Sequence, residues 1–357
     1  MKARTVSNIC VLLVLAIVSC SRQAPVEEPR GSIVISQISA SYPSVAEIND
    51  DTKTVVSSVF YKFYWVAGDA IAIVNATKGR IDRYTVQAGS VGKVDGIFDA
   101  DAEYTYDPSD VVYAVYPYVA ASFEGGNLYV TLADEQYYNT RTDNTSFSRN
   151  DIQVASAMTG NDLDMIKEKN DPIVFERLST MIRVSTHMSD DAMASEQISS
   201  LTINAEGLSG KAKVVFEGTT PSIANNSGNS DSITINITSS PLPTLSKISD
   251  VAQFISVLPA SVKDGISFVF NTEKYEVGFY RKINSALESN TVLPFPFYEG
   301  AYTRVNSEEL ATSDKTWWVA PKTSDLSDES DAGTYRNSTL PGSGAGSYGE
   351  GAALADE

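Results

Sequence analysis

Short runs of β-branched and aromatic residues recur along the chain, and clusters of Gly, Asn, Ser and Pro separate them. Such runs predict strands. In the first half they cover residues 31–40, 60–74, 81–86, 94–98, 110–118 and 128–132. In the second half they cover residues 154–158, 175–184, 201–205, 211–216, 232–237, 254–258 and 266–270. Many short strands at regular spacing favour an all-β sandwich or barrel over an α/β fold.

The stretch 60–74 organises the first predicted domain, because two apolar runs meet there at Gly68 and Asp69. Glycine can adopt the positive φ of a tight turn, and aspartate can hydrogen-bond nearby backbone to close the corner. The pattern therefore predicts two strands hinged at this turn. We expect Phe63 and Trp65 to pack against three later residues: Ile71, Ile73 and Tyr84.

The chain is long enough for two domains. It has 357 residues, of which 42% are hydrophobic and 20% charged, and one domain takes roughly 150 residues. A polar run ends near residue 150 and marks the predicted exit from the first domain. Gly, Ser and acidic residues dominate the C-terminal tail, which we expect to be disordered. The predicted parts are a leader at 1–19, a tether at 20–30, β-sandwich domains at 31–150 and 151–311, and a polar tail at 312–357.

The N-terminus has the pattern of a lipoprotein leader. Lys2 and Arg4 precede an apolar region at 9–18, which is shorter than the about 20 residues of a membrane span. The Ile-Val-Ser-Cys sequence that follows is typical of a lipobox, so Cys20 is the predicted lipidation site. An ordinary secretory leader with a chance cysteine is the alternative. Because Cys10 would leave with the leader, the mature chain would have no disulfide.

The charge of the chain limits its partners. The sequence has 27 basic and 45 acidic residues, and its net charge is −18. Such a surface repels phosphate backbones and anionic headgroups. We therefore predict no nucleic-acid partner and no peripheral binding to acidic lipid.

The sequence lacks the local motifs of several common enzyme classes: it has no GxSxG elbow, no Walker loop and no HExxH motif. The one histidine, His187, is better explained as a loop residue at the end of a strand than as a catalytic residue. Acids at 99, 101, 103 and 107 suggest calcium, but Tyr104 and Asp110 stand where a calcium loop needs Gly and Glu. We predict no catalytic residue, no metal and no cofactor. A hydrolase with an unidentified carboxylate pair stays open, since any two acids can meet in space.

Aromatic residues offer a second type of site. Tyr137 and Tyr138 follow the last strand predicted in the first half and are expected in a loop. Exposed aromatic rings can stack on sugars or contact proteins, so these two are candidate ligand contacts. Half-buried packing is the commoner role of strand tyrosines, of which the chain has several.

Several stretches resemble the fimbrillin family of Bacteroidales, a family of surface lipoproteins that includes fimbrial subunits and their tip proteins. The similar stretches follow the family's order between about residues 17 and 305. They are the lipobox at Cys20 and residues 65–71, 113–118, 132–136, 175–184, 208–210, 254–260 and 297–302.

The resemblance implies two tandem transthyretin-like β-sandwich domains in a fimbrial subunit or adhesin. It also implies a lipid anchor in the outer membrane at the cell surface, with other fimbrial subunits or host and bacterial surface receptors as partners. In polymerising members, an arginine-specific protease removes the first strand, and a neighbour's C-terminal strand fills the vacated groove.

The termini of this chain differ from that scheme. Arg30 is the candidate cleavage site, but it precedes the first predicted strand, and the next arginine is Arg80. Cleavage at Arg30 would therefore trim the tether without opening a groove. The candidate donor segment is Trp317, Trp318 and Val319, the apolar part of a tail rich in Gly and Ser.

These features favour a non-enzymatic tip, anchor or accessory subunit, or a separate surface adhesin. The main alternative is a glycan-binding surface lipoprotein of a polysaccharide-uptake system.

Overall fold

The computed structural model describes residues 31–43, 45–49, 54–61, 63–138, 149–187, 192–224, 230–246, 252–262, 265–283, 286–298 and 316–321. Strands dominate these residues, which confirms the all-β prediction. The strands before residue 140 are β1 (Ile33–Val34), β2 (Gln37–Ser41), β3 (Val45–Asn49), β4 (Thr54–Tyr61), β5 (Ala70–Asn75), β6 (Arg80–Val86), β7 (Asp95–Ala100), β8 (Thr105–Tyr106), β9 (Val111–Tyr116), β10 (Ala121–Glu124), β11 (Asn127–Leu132) and β12 (Glu135–Tyr138).

The later strands are β13 (Gln153–Ala155), β14 (Met158–Thr159), β15 (Ile173–Arg177), β16 (Thr180–His187), β17 (Ser200–Glu217), β18 (Thr220–Ile223), β19 (Ser230–Ile237), β20 (Ala252–Val257), β21 (Ile266–Asn271), β22 (Tyr275–Arg281), β23 (Thr291–Tyr298) and β24 (Thr316–Pro321). The described residues also form an α-helix, α1 (Gly160–Lys169), and short 3-10 turns at Ala88–Ser90, Tyr118–Ala120 and Ala192–Ser195. A capping box between Thr159 and Asp162 begins α1.

Seven strands close into a ring. Hydrogen-bonded neighbours follow the order β13, β15, β2, β7, β6, β5 and β9, and β9 pairs again with β13. Every pair is antiparallel except β15 with β2. Each of these strands therefore has a partner on both sides, and a closed sheet has no free edge.

Alternation of buried and exposed residues places one apolar face of each strand inside the ring. In β6, for example, Asp82, Tyr84 and Val86 are buried, whereas Arg83 is exposed and Thr85 is half-buried. The buried indole of Trp65 lies in this core and contacts four aromatic rings at centroid distances of 4.6 to 6.5 Å: Tyr42, Phe98, Tyr116 and Phe175. Gly96 leaves room for the indole, because a Cβ at that position would lie 2.6 Å from Trp65 Cδ1.

Two further sheets pack against each other beside the ring. The second sheet follows the order β10, β11, β17, β21, β22 and β24, with β18, β19 and β12 attached through β17. The third follows the order β20, β16, β23, β3 and β4. Phenylalanines join the two sheets: the ring of Phe297 on β23 lies 5.0 Å from Phe268 and 4.4 Å from Phe279 in the second sheet.

Strand pairing corrects two details of the sequence-based prediction. The ring continues beyond residue 150, because β13 and β15 complete it. Residues 45–49 and 54–61 instead join the third sheet, where β3 pairs with β23 and with β4. A polar run reports local exposure, whereas the partner of a strand depends on distant residues. The division into two tandem domains stays a prediction.

The second correction concerns Gly68. Its φ is +87°, as a tight turn requires, but the strands on its two sides do not form a hairpin. β4 lies in the third sheet and β5 lies in the ring. Phe63 and Trp65 nevertheless share the ring core with the three predicted partners.

The chain passes between the ring and the third sheet at three described places, and one buried ion pair lies where they meet. The places are residues 42–43 after β2, residues 63–69 before β5, and residues 178–179 after β15. Arg177 Nε donates to Asp151 Oδ1 at 2.6 Å, and Nη2 donates to Oδ2 at 3.0 Å. Both side chains are fully buried.

Each passage contributes a group to this pair. Tyr42 OH donates to Asp151 at 2.8 Å, and Ser179 Oγ donates to it at 3.1 Å. The guanidinium lies 4.8 Å from the ring centre of Phe63 and donates to the Asn290 side chain at 3.2 Å. Asn290 belongs to the loop before β23, so the third sheet also takes part.

Burial sets the charge states around the pair. Burial away from solvent is the main cause that raises the pKa of Tyr42 well above its ordinary value, and the charge of the Asp151 carboxylate is the next largest. The Tyr42 hydroxyl therefore stays protonated and remains a donor. Burial alone would lower the pKa of Arg177, but the Asp151 carboxylate outweighs it and raises the pKa. The guanidinium therefore stays charged.

We expect Arg177→Met to lower the free energy of unfolding by about 3–5 kcal/mol, because it leaves the Asp151 carboxylate buried without its counter-ion. The double variant Asp151→Leu/Arg177→Met should lose less than the sum of the two single variants, with a coupling of roughly 1–3 kcal/mol. Urea unfolding of the four proteins measures this coupling.

The pair Lys211 and Glu124 is a matched control, since its side chains are 41% and 62% exposed. Lys211→Met should change stability by less than about 1 kcal/mol. Additive effects at Asp151 and Arg177 would contradict the central role of their pair.

Candidate assembly edge and ligand-binding surfaces

Both predicted processing residues, Cys20 and Arg30, lie outside the described residues. The strands that follow them are described, and β2 lies in the ring between β7 and β15. Ile38 and Ala40 of β2 are buried in the ring core. No arginine occurs at 31–79, so an arginine-specific cut at Arg30 would leave β2 in its sheet.

The candidate donor segment lies in β24, antiparallel to β22. Trp317, Trp318 and Val319 stand opposite the following residues of β22: Phe279, Gly278 and Val277. In the part of the chain that the structure describes, β22 is the one neighbour of β24, so β24 forms an edge of the second sheet. An edge strand has unpaired backbone groups along its outer side, and only one ladder holds it.

This strand corrects the predicted tail. The segment from residue 312 was expected to be disordered, yet residues 316–321 form β24. The aromatic and β-branched residues of this short run favour a strand despite the polar residues around it. The remainder of the tail, from residue 322, lies outside the described residues.

The two tyrosines predicted as ligand contacts lie in a strand rather than a loop. β12 runs parallel to β19, with Tyr137 opposite Asn236 and Tyr138 opposite Ile237. Tyr137 is 56% exposed, whereas Tyr138 is 7% exposed and packs in the core between the second and third sheets. Strand alternation sends neighbouring side chains to opposite faces. Tyr138 is therefore a core residue, and of the pair Tyr137 alone reaches the surface.

The residues considered for chemistry do not converge. His187 is the last residue of β16, where the sequence predicted the end of a strand. The acids of the suspected calcium loop interact with different partners. Asp99 accepts hydrogen bonds from Gln37 and Gln87, Asp101 accepts one from Thr85, and Asp107 accepts one from Ser32 and forms an ion pair with Lys78. Among the described residues, no three His, Cys, Asp or Glu side chains are grouped to hold a metal ion.

A cleft of about 450 Å³ opens on the ring beside the Gly68 turn. Residues of the turn line it, and so do residues of the segment after β9, where Val119 is 77% exposed. The lining residues are Val66, Ala67, Gly68, Asp69, Ala70, Arg83, Pro117, Tyr118, Val119 and Arg149. Clefts of roughly 300–1,000 Å³ are the usual size of small-molecule sites.

Two arginines line this cleft, and no sequence pattern singles them out. Arg83 lies on β6 and Arg149 lies two residues before the buried Asp151, so 66 positions separate them in the sequence, and only the ring brings them together. The Gly68–Asp69 turn was the one sequence signal at this place. No local pattern pairs a turn with a distant arginine.

No protein-family model and no curated protein matches this chain. Solved structures that resemble it include proposed cell adhesion proteins from Bacteroides uniformis and Bacteroides ovatus and a fimbrial protein from Bacteroides ovatus. The first is 16% identical with a TM-score of 0.42, and the match covers 72% of this chain and 93% of that one. The second is 14% identical with a TM-score of 0.42, covering 72% and 90%.

The match to the fimbrial protein is looser, with 15% identity and a TM-score of 0.27. It covers 76% of this chain and 50% of that one. In addition, none of the described helices has the length and apolar character that a membrane span requires.

A variant that ends at Asp314 would lack β24 and expose the edge of β22. We expect it to bind a fluorescent peptide of residues 315–322, and we expect the full chain not to bind it, because its own β24 occupies the edge. Fluorescence anisotropy measures the difference, with circular dichroism to show that the variant is folded.

In the control peptide, proline replaces both Trp318 and Val319. Neighbouring strand residues point their N–H groups to opposite sides, so this change removes a ladder donor whichever of the two faces β22. It should bind roughly tenfold more weakly or worse. Equal binding of both peptides to the folded variant would refute the role of the edge.

Proposed function

We propose that this protein is a non-enzymatic cell-surface lipoprotein that serves as a tip, anchor or accessory subunit of a fimbria, or as an adhesin. A contrast between two strands supports the proposal. They are β2, the first described strand that belongs to a sheet of more than two strands, and β24, the last described strand. β2 has partners on both sides within the closed ring, whereas β24 has one described partner at a sheet edge. Among the described residues, the chain thus offers an edge strand to donate, whereas its closed ring offers no open groove to receive one.

This contrast determines the place that such a subunit can take. Polymerisation by strand exchange needs a groove and a donor strand in every subunit, because each copy must both receive and give. A subunit that only donates can bind one neighbour and stands at the end of an assembly. A tip, anchor or accessory role meets this condition, and so does a separate adhesin that never assembles.

The lipobox supports the proposed location. A lipid on Cys20 would hold the chain at the outer membrane, and the tether at 20–30 would separate it from the first described strand. Other fimbrial subunits or surface receptors are the partners that fit this arrangement. Glycan uptake through the Tyr137–Tyr138 pair is less well supported, since Tyr138 is buried.

We expect Cys20→Ala to release the protein into the periplasm or medium, while the unchanged protein fractionates with membranes, because the variant cannot carry the lipid. Immunoblots of membrane and soluble fractions measure this. Cys10→Ala is the matched control and should stay with the membranes, as Cys10 lies within the predicted leader. A Cys20→Ala protein that remained in the membrane fraction would overturn the lipoprotein proposal.

A further inference from the structure

We infer that the cleft beside the Gly68 turn binds the carboxylate of an acidic sugar, such as a uronic acid or a sialic acid, through Arg83 and Arg149. The inference does not depend on how the chain is anchored or assembled. It rests on the charge, lining and surroundings of the cleft.

The charge of the cleft is opposite to that of the protein. The chain carries −18 overall, but two arginines and one aspartate line this cleft, and Asp101, outside the lining, pairs with Arg83 at the surface. A single carboxylate balances the lining once it replaces Asp101 at Arg83. A phosphate dianion is disfavoured in comparison, because the Asp69 carboxylate would face its second charge.

The cationic group of Arg83 is held in a defined position. Its guanidinium carbon lies 5.3 Å from the ring centre of Tyr118, and Nη1 lies 3.4 Å from Asp101 Oδ2. The Asp101 pair is exposed on both sides, at 44% and 36%, and exposed pairs contribute little stability. An incoming carboxylate can therefore compete for the guanidinium, whose fork of N–H donors fits a carboxylate with two hydrogen bonds.

Arg149 lies close in the chain to the buried ion pair. It precedes Asp151 by two residues, and Asp151 is fixed by its bonds to Arg177, Tyr42 and Ser179. Arg149 is itself exposed at the surface. The ring junction thus presents a second guanidinium to the cleft that Arg83 lines.

The lining of the cleft and the strands around it favour a sugar ring over a peptide. Small residues form much of the lining, at Ala67, Gly68, Ala70 and Pro117. The nearby strands β5, β6 and β9 each have partners on both sides, so an extended peptide cannot add to them. The Asp69 carboxylate already accepts from Val66 N–H at 2.8 Å and Tyr116 OH at 2.9 Å.

Isothermal titration calorimetry of the folded soluble chain, with its leader removed, tests the inference. Glucuronic acid and N-acetylneuraminic acid are the probes, and glucose and the methyl ester of N-acetylneuraminic acid are their neutral counterparts. At least one acid should bind about tenfold or more tightly than its neutral counterpart. Which acid binds identifies the sugar. No binding of either acid at about 10 mM, or equal binding of acid and neutral sugar, would overturn the inference.

Arg83→Ala and Arg149→Ala should each weaken binding of that acid about tenfold, and Arg83→Lys should restore only part of the affinity because lysine lacks the planar fork. Lys213→Ala is the matched control: Lys213 is an exposed cation on β17 in the second sheet, and its loss should leave binding unchanged. Thermal unfolding shows whether each variant is folded. Folded arginine variants with unchanged affinity would refute the assignment.

Two competitors test the ligand class. Inorganic phosphate and an N-acetylated dipeptide with a free carboxylate should both displace the acid sugar poorly. Phosphate that competes equally would make the cleft a general anion site, and a dipeptide that competes better would make it a peptide site. Either result would overturn the assignment to acidic sugars.

Discussion

The buried pair of Asp151 and Arg177 is the interaction on which the rest of this structure depends. It lies where the chain passes three times between the closed ring and the third sheet, and each passage supplies a hydroxyl or an aromatic ring to it. Burial of two charges is costly in itself, so the pair is tolerable only because hydrogen bonds satisfy both ions. Since a domain is stable by only about 5–15 kcal/mol, loss of one partner would affect a large share of that margin.

Closure of the ring is the second constraint, and it involves the two strands that adjoin the same ion pair. β13 begins two residues after Asp151, and β15 ends at Arg177, so the pair joins the two strands that complete the ring. A closed ring keeps β2 between two neighbours and gives strand exchange no opening at that end. The edge strand β24 is held by one described ladder. The opposite character of these two strands underlies our proposal of a terminal rather than a repeating role.

The sequence pattern predicted many strands well, because alternation and β-branched residues are local properties. The run predicted at 81–86 became Arg80–Val86, and that at 266–270 became Ile266–Asn271. The pattern did not predict which segments contact each other, because contacting residues are far apart in the sequence. Arg177, for example, donates a hydrogen bond to the carbonyl of Pro43 across 134 positions. For the same reason the Gly68 turn was found but its strands were assigned to one hairpin. Tyr138 and Arg149 show the same limit for sites, because exposure and proximity depend on the assembled ring.

Closure of the ring is tested most directly by the behaviour of purified protein on unboiled SDS gels before and after trimming with an arginine-specific protease. We expect one monomer band in both lanes, with mass spectrometry showing a cut at Arg30 and the retention of β2. That result would mean that the ring stays closed when the tether is removed. An SDS-resistant ladder that appears after trimming would show that a groove had opened, and it would contradict the claim that this chain donates a strand without receiving one.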